Sequence, residues 1–304
     1  MEKAEDRLKT ILEKWKATKA GDAQFSKLDV FVKLQKPSVC SKSFVLFGLV
    51  LVGFSILVWY KLEAILNKEC LLEVPGSVLR PPEYCEICRN VTTIDKVENI
   101  SPESFYYDYV KPCKPVIVKD GALGWEAMKL FSFDFFKHVY ESLPEKRTNT
   151  RCQFFPYQTE FRSLKEVFNM SSARAKLEPG EKNWYIGFNN CNDEAGQILK
   201  QYYETPYFLS PNLENIALSW IFMGGPGHGA QMHVDNVIYP SWQAQLSGRK
   251  KWILAPPPEC YYKCKEISVI VEPGEIIALN TNRWYHQTFV QPGEISITIG
   301  SEFF

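Results

Sequence analysis

The sequence predicts a mainly β domain with flanking helices, built as a sandwich or barrel and preceded by a single membrane-spanning helix. From about residue 216 to the end, short apolar runs alternate with glycine and proline turns, a spacing typical of sandwiches and barrels. Residues 43 to 60 contain no charged side chain. The 304 residues include 35 basic and 35 acidic side chains, so the net charge gives no reason to expect a nucleic-acid partner.

The first 42 residues are predicted to form a cytosolic tail. Within EDRLKTILEKWKATKA, the apolar residues Leu8, Ile11, Leu12 and Trp15 recur at helical spacing. We interpret this segment as an amphipathic helix that binds a membrane surface or a partner protein. A helix of only marginal stability is the alternative interpretation.

Residues 43 to 60, SFVLFGLVLVGFSILVWY, are predicted to form a transmembrane signal-anchor helix. Eighteen helical residues extend about 27 Å, against a hydrocarbon core of roughly 30 Å. The flanking residues Lys42 and Lys61 can reach the interface, and Trp59 and Tyr60 lie where an aromatic belt is expected. A buried core helix is the alternative. A cleaved signal peptide fits less well, because 42 residues precede the segment.

The distribution of basic residues and cysteines predicts a single-pass type II membrane protein. Ten Lys or Arg residues precede residue 43, whereas three lie among the twenty residues after the apolar segment. The positive-inside rule therefore predicts a cytosolic N-terminus and a large domain in the lumen of the endoplasmic reticulum or Golgi, or at the cell surface. Of the nine cysteines, an even number follows the apolar segment, which suits an oxidising compartment: Cys70, Cys85, Cys88, Cys113, Cys152, Cys191, Cys260 and Cys264.

Residues 61 to 100 are interpreted as a cysteine-containing stem. Cys85 and Cys88 in CEIC are compatible with a redox motif, half of a zinc site or structural disulfides. Structural disulfides are favoured, because no βαβ pattern surrounds the pair and no second CxxC motif occurs. Three glycosylation sequons, which predict a glycoprotein, begin at Asn90, Asn99 and Asn169.

The large domain is predicted to extend from about residue 101 to residue 304. A short β-run in KPVIVKDGAL precedes a helix from residue 128, for which Ser132 is the predicted N-cap before Phe133. NWYIGF is β-like, and NDEAGQILKQYYE has a helical pattern. The remaining predicted strands are ALSWIFM, QMHVD, WQAQL, KKWILA, SVIVE, EIIAL, QTFV and ISITI.

A histidine and an aspartate two residues apart in QMHVD indicate a metal site. Residues i and i+2 of a strand point to one face, so His233 and Asp235 would direct an imidazole and a carboxylate to one point. His286, in NRWYHQTFV, is the candidate third ligand. Two histidines and one carboxylate form the facial triad of non-haem Fe(II) oxygenases. The alternative for the H-x-D pair alone is an exposed strand edge with two polar side chains, and a lone histidine beside a Trp-Tyr pair, such as His286, is more often a satisfied core residue.

The joint pattern of H-x-D, a hairpin with Gly-x-Lys-x-Trp, P-G-E, an apolar strand and W-Y-H resembles the JmjC oxygenases of the cupin superfamily. The resemblance is closest in WQAQLSGRKKWILAPPP, extends weakly to KPVIVKDGALGWEAMKLFSFDFF and covers about residues 101 to 304. It implies a double-stranded β-helix of the jelly-roll or cupin type. It also implies an enzyme that uses Fe(II), 2-oxoglutarate and O2, with His233, Asp235 and His286 as the catalytic iron ligands.

The same resemblance assigns a lysine to the cosubstrate. Lys250, two residues after the turn glycine Gly248, matches the lysine that binds the distal carboxylate of 2-oxoglutarate. The alternation of the strand agrees, because Lys250 shares a face with Trp252 and Leu254. An inward lysine requires an anion to offset its desolvation, and a dicarboxylate supplies one. The alternative is a surface lysine at a hairpin tip.

Three further side chains are candidate cosubstrate contacts. Gln243 matches a position at which relatives often carry asparagine, and Tyr185 resembles a pocket tyrosine on an earlier strand. In the last strand Ser296 and Thr298 share one face, so Thr298 is a candidate hydrogen-bond donor in a pocket or, equally, a solvent-facing residue. His228 in GGPGHGA is interpreted as an exposed loop residue rather than a substrate contact.

Three departures from the family pattern leave a second function open. Ala230 replaces a frequent threonine, Gly300 replaces a frequent asparagine, and NTNRWYH replaces a proline-containing turn. The favoured prediction is a protein side-chain hydroxylase that acts on lumenal or secreted substrates of the secretory pathway. The alternative is a catalytically silent cupin that binds a partner or a glycan, and a zinc-dependent cupin isomerase is a third hypothesis. The sequence predicts neither the substrate nor the oligomeric state.

Overall fold

A computed structural model describes residues 2–17, 40–66, 81–144, 152–210 and 220–303. The chain divides into two compact units, Met1–Arg80 and Pro81–Phe304. Cys70 and the other stem residues from 67 to 80 lie outside the described residues. Residues 81 to 100, which the sequence assigns to the stem, belong to the second unit.

The described residues of the first unit form the helices α1 (Glu2–Ala17) and α2 (Cys40–Leu66). Helix α1 agrees with the amphipathic pattern of the tail, and its apolar residues Leu8 and Ile11 are exposed. Within α2, the window Leu46–Glu63 is long and apolar enough to cross a membrane, and none of it is buried. The helix therefore has the length and composition of the predicted anchor, while the anchoring itself stays a prediction.

The helices of the second unit are short, and most begin at a side-chain cap. The caps Ser101, Ser132, Ser163, Ser171 and Asn192 each accept a hydrogen bond from the backbone N–H three residues later, which satisfies a donor that the helix leaves free. The predicted cap at Ser132 is thereby confirmed. The α-helices in the described part of this unit are α3 (Pro102–Phe105), α4 (Ala127–Leu130), α5 (Phe133–Ser142), α6 (Leu164–Phe168), α7 (Ser172–Ala175) and α8 (Asp193–Leu199).

The strands of the second unit form two sheets, which makes the unit a mainly β jelly roll with flanking helices. The larger sheet has the order β1-β2-β10-β7-β12-β5-β4-β3, and the smaller one has the order β6-β11-β8-β9. All pairs are antiparallel except β1 with β2. The strands are β1 (Asp95–Val97), β2 (Val116–Val118), β3 (Phe154–Phe155), β4 (Tyr185–Asn189), β5 (Trp220–Gly224), β6 (Gly227–His228), β7 (Ser241–Ser247), β8 (Lys250–Ala255), β9 (Ile267–Val271), β10 (Ile276–Leu279), β11 (Tyr285–Val290) and β12 (Ser296–Glu302).

The alternation of side chains along the strands separates two apolar clusters. One face of the larger sheet, with Trp242, Ile297 and Ile299, packs against the aromatic residues of the helices. Residues of both sheets meet in the second cluster, which includes Ile277 and Trp252. Positions that alternate with the first cluster therefore face the inside of the roll, and these are the positions that carry the site.

Three pairs of cysteines are joined in the second unit. Both cysteines of CEIC are bonded to residues far along the chain, Cys85 to Cys260 and Cys88 to Cys264. This pairing agrees with the favoured interpretation of CEIC as structural cysteines. The third pair joins Cys152 to Cys191. Among the cysteines that the structure describes here, Cys113 is free and half-buried.

Candidate metal centre

The H-x-D motif lies on an irregular segment, so the strand predicted for QMHVD is wrong. His233 forms a single antiparallel bridge with His286, in which each backbone N–H donates to the other carbonyl, at 3.1 and 2.8 Å. The partner strand β11 begins only at Tyr285, so the chain opposite Asp235 has already turned away. The N–H of Asp235 donates instead to the carbonyl of Thr281 at 2.9 Å.

These backbone contacts nevertheless bring the three predicted ligand side chains together. The ligand atoms of His233, Asp235 and His286 lie within 4.8 Å of one another. Oδ1 of Asp235 is 3.3 Å from Nε2 of His233 and 3.9 Å from Nε2 of His286. Three donors at these separations can coordinate one cation and leave coordination positions open.

Both imidazoles are held by backbone carbonyls in the orientation that a metal ligand needs. Nδ1 of His286 lies 3.1 Å from the carbonyl of Trp284, and Nδ1 of His233 lies 2.6 Å from that of Gln231. Because a carbonyl only accepts, each Nδ1 carries a hydrogen, and Nε2 of the neutral ring is the atom that can bind a cation. Such partners orient the ring and fix its tautomer.

Burial and charge act in opposite directions on the three groups. Burial lowers the pKa of His286 to about 4, so this imidazole is neutral at neutral pH. At His233, burial lowers the pKa, but hydrogen bonds to Asp235 and to the Gln231 carbonyl outweigh it and the pKa is raised. Burial raises the pKa of Asp235, yet the two histidines together with Thr281 lower it overall. The carboxylate is therefore ionised and available to a cation.

Lys250 is the buried cation of the interior. Its side chain is 1% exposed, and Nζ donates to Oγ1 of Thr298 at 2.8 Å. The ammonium also lies 5.6 Å from the ring centre of Tyr185 and 5.4 Å from that of Phe222. No carboxylate of the described residues pairs with it, and burial lowers its pKa to about 7. The interpretation as a surface lysine is therefore wrong, and the inward orientation is confirmed.

The other predicted contacts lie on the same inner surface. Thr298 is buried and faces Lys250, so its solvent-facing alternative is wrong. Tyr185 is buried, and burial raises its pKa well above the usual value, so its hydroxyl remains a donor. Gln243 is half-buried on β7, directly opposite Gly300 of β12. The structure thus brings Tyr185 and Thr298 to Lys250, with Gln243 two residue pairs further along the strands.

The family model for the cupin-like domain matches residues 102–266, which is more than half of the chain. The chain belongs to the cupin-like domain family. The match includes His233, Asp235 and Lys250 and ends before His286, so the third ligand is identified by the geometry described above. The predicted family and the cupin-like jelly roll are confirmed.

Individual relatives are distant. The chain is 27% identical over 170 residues to the arginine-specific demethylase JMJ22 of Arabidopsis thaliana, covering 54% of this chain and 31% of that protein. It is 24% identical over 256 residues to the 2-oxoglutarate and iron-dependent oxygenase JMJD4 of Gallus gallus, covering 68% and 59%. The solved structure of YcfD, a ribosomal oxygenase from Escherichia coli, is 18% identical with a TM-score of 0.44, covering 67% and 51%. The chain spans less than two thirds of each of these proteins.

Two departures of this cupin-like chain are compensated on the neighbouring strand. A Cβ at Gly300 would lie 2.4 Å from the carbonyl oxygen of Trp242 and 2.8 Å from Cγ of Gln243, so the Gln243 side chain takes the space that a larger residue would need. At Ala230, the N–H donates to Oγ1 of Thr288 at 3.0 Å, so a hydroxyl lies beside this position. The interior remains polar despite Ala230 and Gly300.

Two polar residues of the cupin-like interior, Gln245 and Tyr157, were not predicted from the sequence. Gln245, opposite Thr298, is 1% exposed, and its Oε1 has no hydrogen-bond partner among the described residues. The alternation of β7 could have found it, because it shares a face with Gln243. The ring of Tyr157 lies 5.8 Å from that of Tyr185, and burial together with the charge of Asp235 raises the pKa of Tyr157. Nothing in the local pattern FFPYQ marks Tyr157 as a site residue.

The remaining histidines lie outside the centre. His228 is exposed, as predicted, but it lies on strand β6 rather than in a loop, with its ring 4.6 Å from that of Phe289. His138 is exposed on α5. The candidate metal ligands are therefore two imidazoles, which bind a metal in their neutral form, and one carboxylate. The buried ammonium of Lys250 needs an anion to offset its desolvation. These residues fit Fe(II) and a dicarboxylate cosubstrate.

Proposed function

We propose that this chain is a membrane-anchored Fe(II)- and 2-oxoglutarate-dependent dioxygenase that hydroxylates a protein side chain on lumenal or secreted substrates. The observation that carries this proposal is a pair of features in one roll. Three ligand atoms lie within 4.8 Å of one another, and a fully buried lysine has no anionic partner among the described residues. A site with only one of these two features would not favour a dicarboxylate cosubstrate.

The overall reaction is R–H + 2-oxoglutarate + O2 → R–OH + succinate + CO2, and bound Fe(II) supplies its redox chemistry. His233, Asp235 and His286 would hold the metal. Lys250 would bind the distal carboxylate of 2-oxoglutarate through a charge-assisted hydrogen bond. Thr298 and Tyr185 orient that ammonium, since one accepts its hydrogen bond and the other presents its ring face.

The membrane and lumenal parts of the proposal have separate support. The window Leu46–Glu63 of α2 is apolar and exposed. Three cysteine pairs in the second unit suit an oxidising compartment. The sequon residues Asn90, Asn99 and Asn169 are all exposed, as glycan acceptors must be.

Succinate formation tests the enzymatic part. The purified protein, supplied with Fe(II), ascorbate and 2-oxoglutarate, is expected to form succinate without a prime substrate. His233→Ala is expected to abolish this turnover, because it removes a metal ligand. His138→Ala removes an exposed histidine of α5 and serves as the matched control. Succinate formation that survives in His233→Ala would contradict the proposal.

Glycosidase and protease experiments test the topology. Endoglycosidase treatment of the cellular protein is expected to lower its mass, because all three sequons lie on the side predicted to be lumenal. The domain after residue 81 is expected to resist protease in sealed microsomes and to be digested after detergent is added. Digestion in sealed microsomes would contradict the lumenal location and leave the oxygenase proposal intact.

The catalytically silent cupin is not favoured. That alternative depends on Ala230 and Gly300 reducing the polarity of the pocket. Both positions have polar compensation, from Thr288 and Gln243 respectively. Metal binding without any 2-oxoglutarate binding would restore the silent cupin as the better explanation.

A further inference from the structure

The turn before His286 and the loop after Asp235 are joined by one side chain. Oδ1 of Asn282 accepts a hydrogen bond from the N–H of Val237 at 2.9 Å, and its Nδ2 donates to the carbonyl of Val237 at 2.6 Å. A side-chain amide that binds both backbone groups of one residue acts like an opposing peptide unit. It extends the contact between the two segments by one rung, beyond the point at which regular pairing ends.

The turn itself is fixed by contacts with other residues. The N–H of Asn282 donates to Oδ1 of Asn280 at 3.2 Å, and Nε1 of Trp284 donates to the carbonyl of Cys113 at 2.8 Å. Arg283 forms an ion pair with Glu83. The turn is therefore a rigid support, and the loop after Asp235 is attached to it.

The far end of the loop has its own anchor. The buried carboxylate of Glu302 accepts hydrogen bonds from the N–H groups of Ile238 and Tyr239, both at 2.9 Å. Between the bridge at His233 and this anchor, the backbone of Asp235 is held by its single bond to Thr281. The Asn282 amide adds a further attachment between these two points, at Val237, which follows Asp235 by two residues.

We propose that Asn282 is a positioning residue that holds Asp235 in reach of His233 and His286. The inference rests on the proposed function, since it assumes that these three side chains bind a cation. Asp235 is partly exposed, so the position of its carboxylate depends on its hydrogen bonds to His233 and Thr281 and on the backbone that carries it. Loss of the amide frees the backbone beside Asp235, and loosening a ligand by even an ångström weakens a metal site.

Metal affinity tests the role without enzyme turnover. Wild type, Asn282→Ala, Asn282→Asp and Asn236→Ala are titrated anaerobically with Mn(II) alone, and the free ion is quantified by electron paramagnetic resonance. The Asn282→Ala variant is expected to bind Mn(II) at least about tenfold more weakly. Asn236→Ala removes an exposed asparagine from the same loop and is expected to keep wild-type affinity.

Asn282→Asp separates positioning from folding, because aspartate has the same shape. It keeps an acceptor for the Val237 N–H and turns the donor into an oxygen that faces the Val237 carbonyl. Its Mn(II) affinity is expected to fall as well, at a temperature where the metal-free variant is folded by circular dichroism. A merely structural role would lower the melting temperature and leave the affinity of the folded protein unchanged.

The outcomes distinguish the two levels of the proposal. Wild-type affinity in folded Asn282→Ala or Asn282→Asp would overturn the positioning role while the metal site stands. Absence of Mn(II) binding in the wild type would overturn the proposed function itself. Weaker binding in both Asn282 variants, with Asn236→Ala unchanged, supports the role of the amide.

Discussion

The two ends of the inner surface handle charge in opposite ways. At the metal end, the carboxylate of Asp235 faces two imidazoles, and the side chains of His233 and Asp235 are 37% and 31% exposed. At the lysine end, the ammonium of Lys250 is buried with only a hydroxyl and two ring faces around it. The metal end satisfies its own charge in the absence of ligand, whereas the lysine end depends on an anion from outside.

This difference separates stability from binding. A substitution at the metal end removes a ligand, and the charge that remains there is partly exposed to solvent. A substitution of Lys250 removes an ion whose burial opposes folding, so it is expected to weaken binding and to stabilise the ligand-free protein. The predictions below test this contrast, beginning with the largest effect.

His286→Ala is expected to give the largest loss. It removes the most buried ligand of the centre, and even outer-shell partners of a metal ligand are worth about 10- to 100-fold in affinity. Mn(II) affinity and succinate formation are therefore expected to fall by more than about 100-fold. Anaerobic metal titration and a succinate assay provide the measurements. A loss of less than tenfold would show that His286 is not a ligand and that the metal end is incomplete.

The sequence predicted the ligands of the metal end but not how the chain positions them. The types and order of His233, Asp235 and His286 are visible in the motif, because coordination chemistry restricts the side chains. The irregular backbone that holds them is not visible, since it depends on where β11 ends and on the side chain of Asn282. Such contacts join residues 45 apart in the chain and leave no local pattern.

Lys250→Met is expected to weaken 2-oxoglutarate binding by about 10- to 100-fold, the value of a hydrogen bond to a charged group. It is also expected to raise the free energy of unfolding of the ligand-free protein by a few kcal/mol at neutral pH, on the order implied by its lowered pKa. Anaerobic calorimetric titration and denaturant unfolding measure the two effects. Lys251→Met changes the adjacent, half-exposed lysine and is expected to alter neither.

The pH dependence of that stabilisation has a definite sign. The folded pKa of Lys250, about 7, lies below its unfolded value of 10.5. The penalty is therefore complete below pH 7 and disappears as the pH rises toward 10.5, so the wild type gains stability across this range. Lys250→Met is expected to lose this contribution. A variant that is less stable than the wild type at pH 7 would contradict the idea of an uncompensated buried charge.

The lysine end shows a different limit of sequence analysis. Alternation along β8 predicted the inward orientation of Lys250, and alternation along β12 left Thr298 undecided between pocket and solvent. Burial resolved that choice, because it depends on which sheet covers which face. The sequence also could not predict that the Gln243 side chain fills the space beside Gly300, since this depends on the register of the two strands.

Binding of 2-oxoglutarate is expected to be coupled to proton uptake above pH 7. The ligand-free ammonium has a pKa of about 7, and a bound carboxylate raises this pKa by favouring the charged form. Between pH 7.5 and 8.5 the affinity is expected to fall by up to about tenfold. Calorimetric titration in two buffers of different ionisation enthalpy measures the protons taken up. Equal proton uptake in Lys250→Met would assign the effect to another group.

Thr298→Val is expected to have the smallest effect. It keeps the shape of the side chain and removes the hydroxyl that accepts the hydrogen bond from Lys250. A single hydrogen bond contributes about 1 kcal/mol, so 2-oxoglutarate affinity is expected to fall about fivefold while metal affinity is unchanged. Thr298→Ser keeps the hydroxyl and is expected to retain most of the affinity in the same calorimetric titration. If valine and serine weaken binding equally, Thr298 acts through packing, and the orientation of the ammonium must depend on the rings of Tyr185 and Phe222.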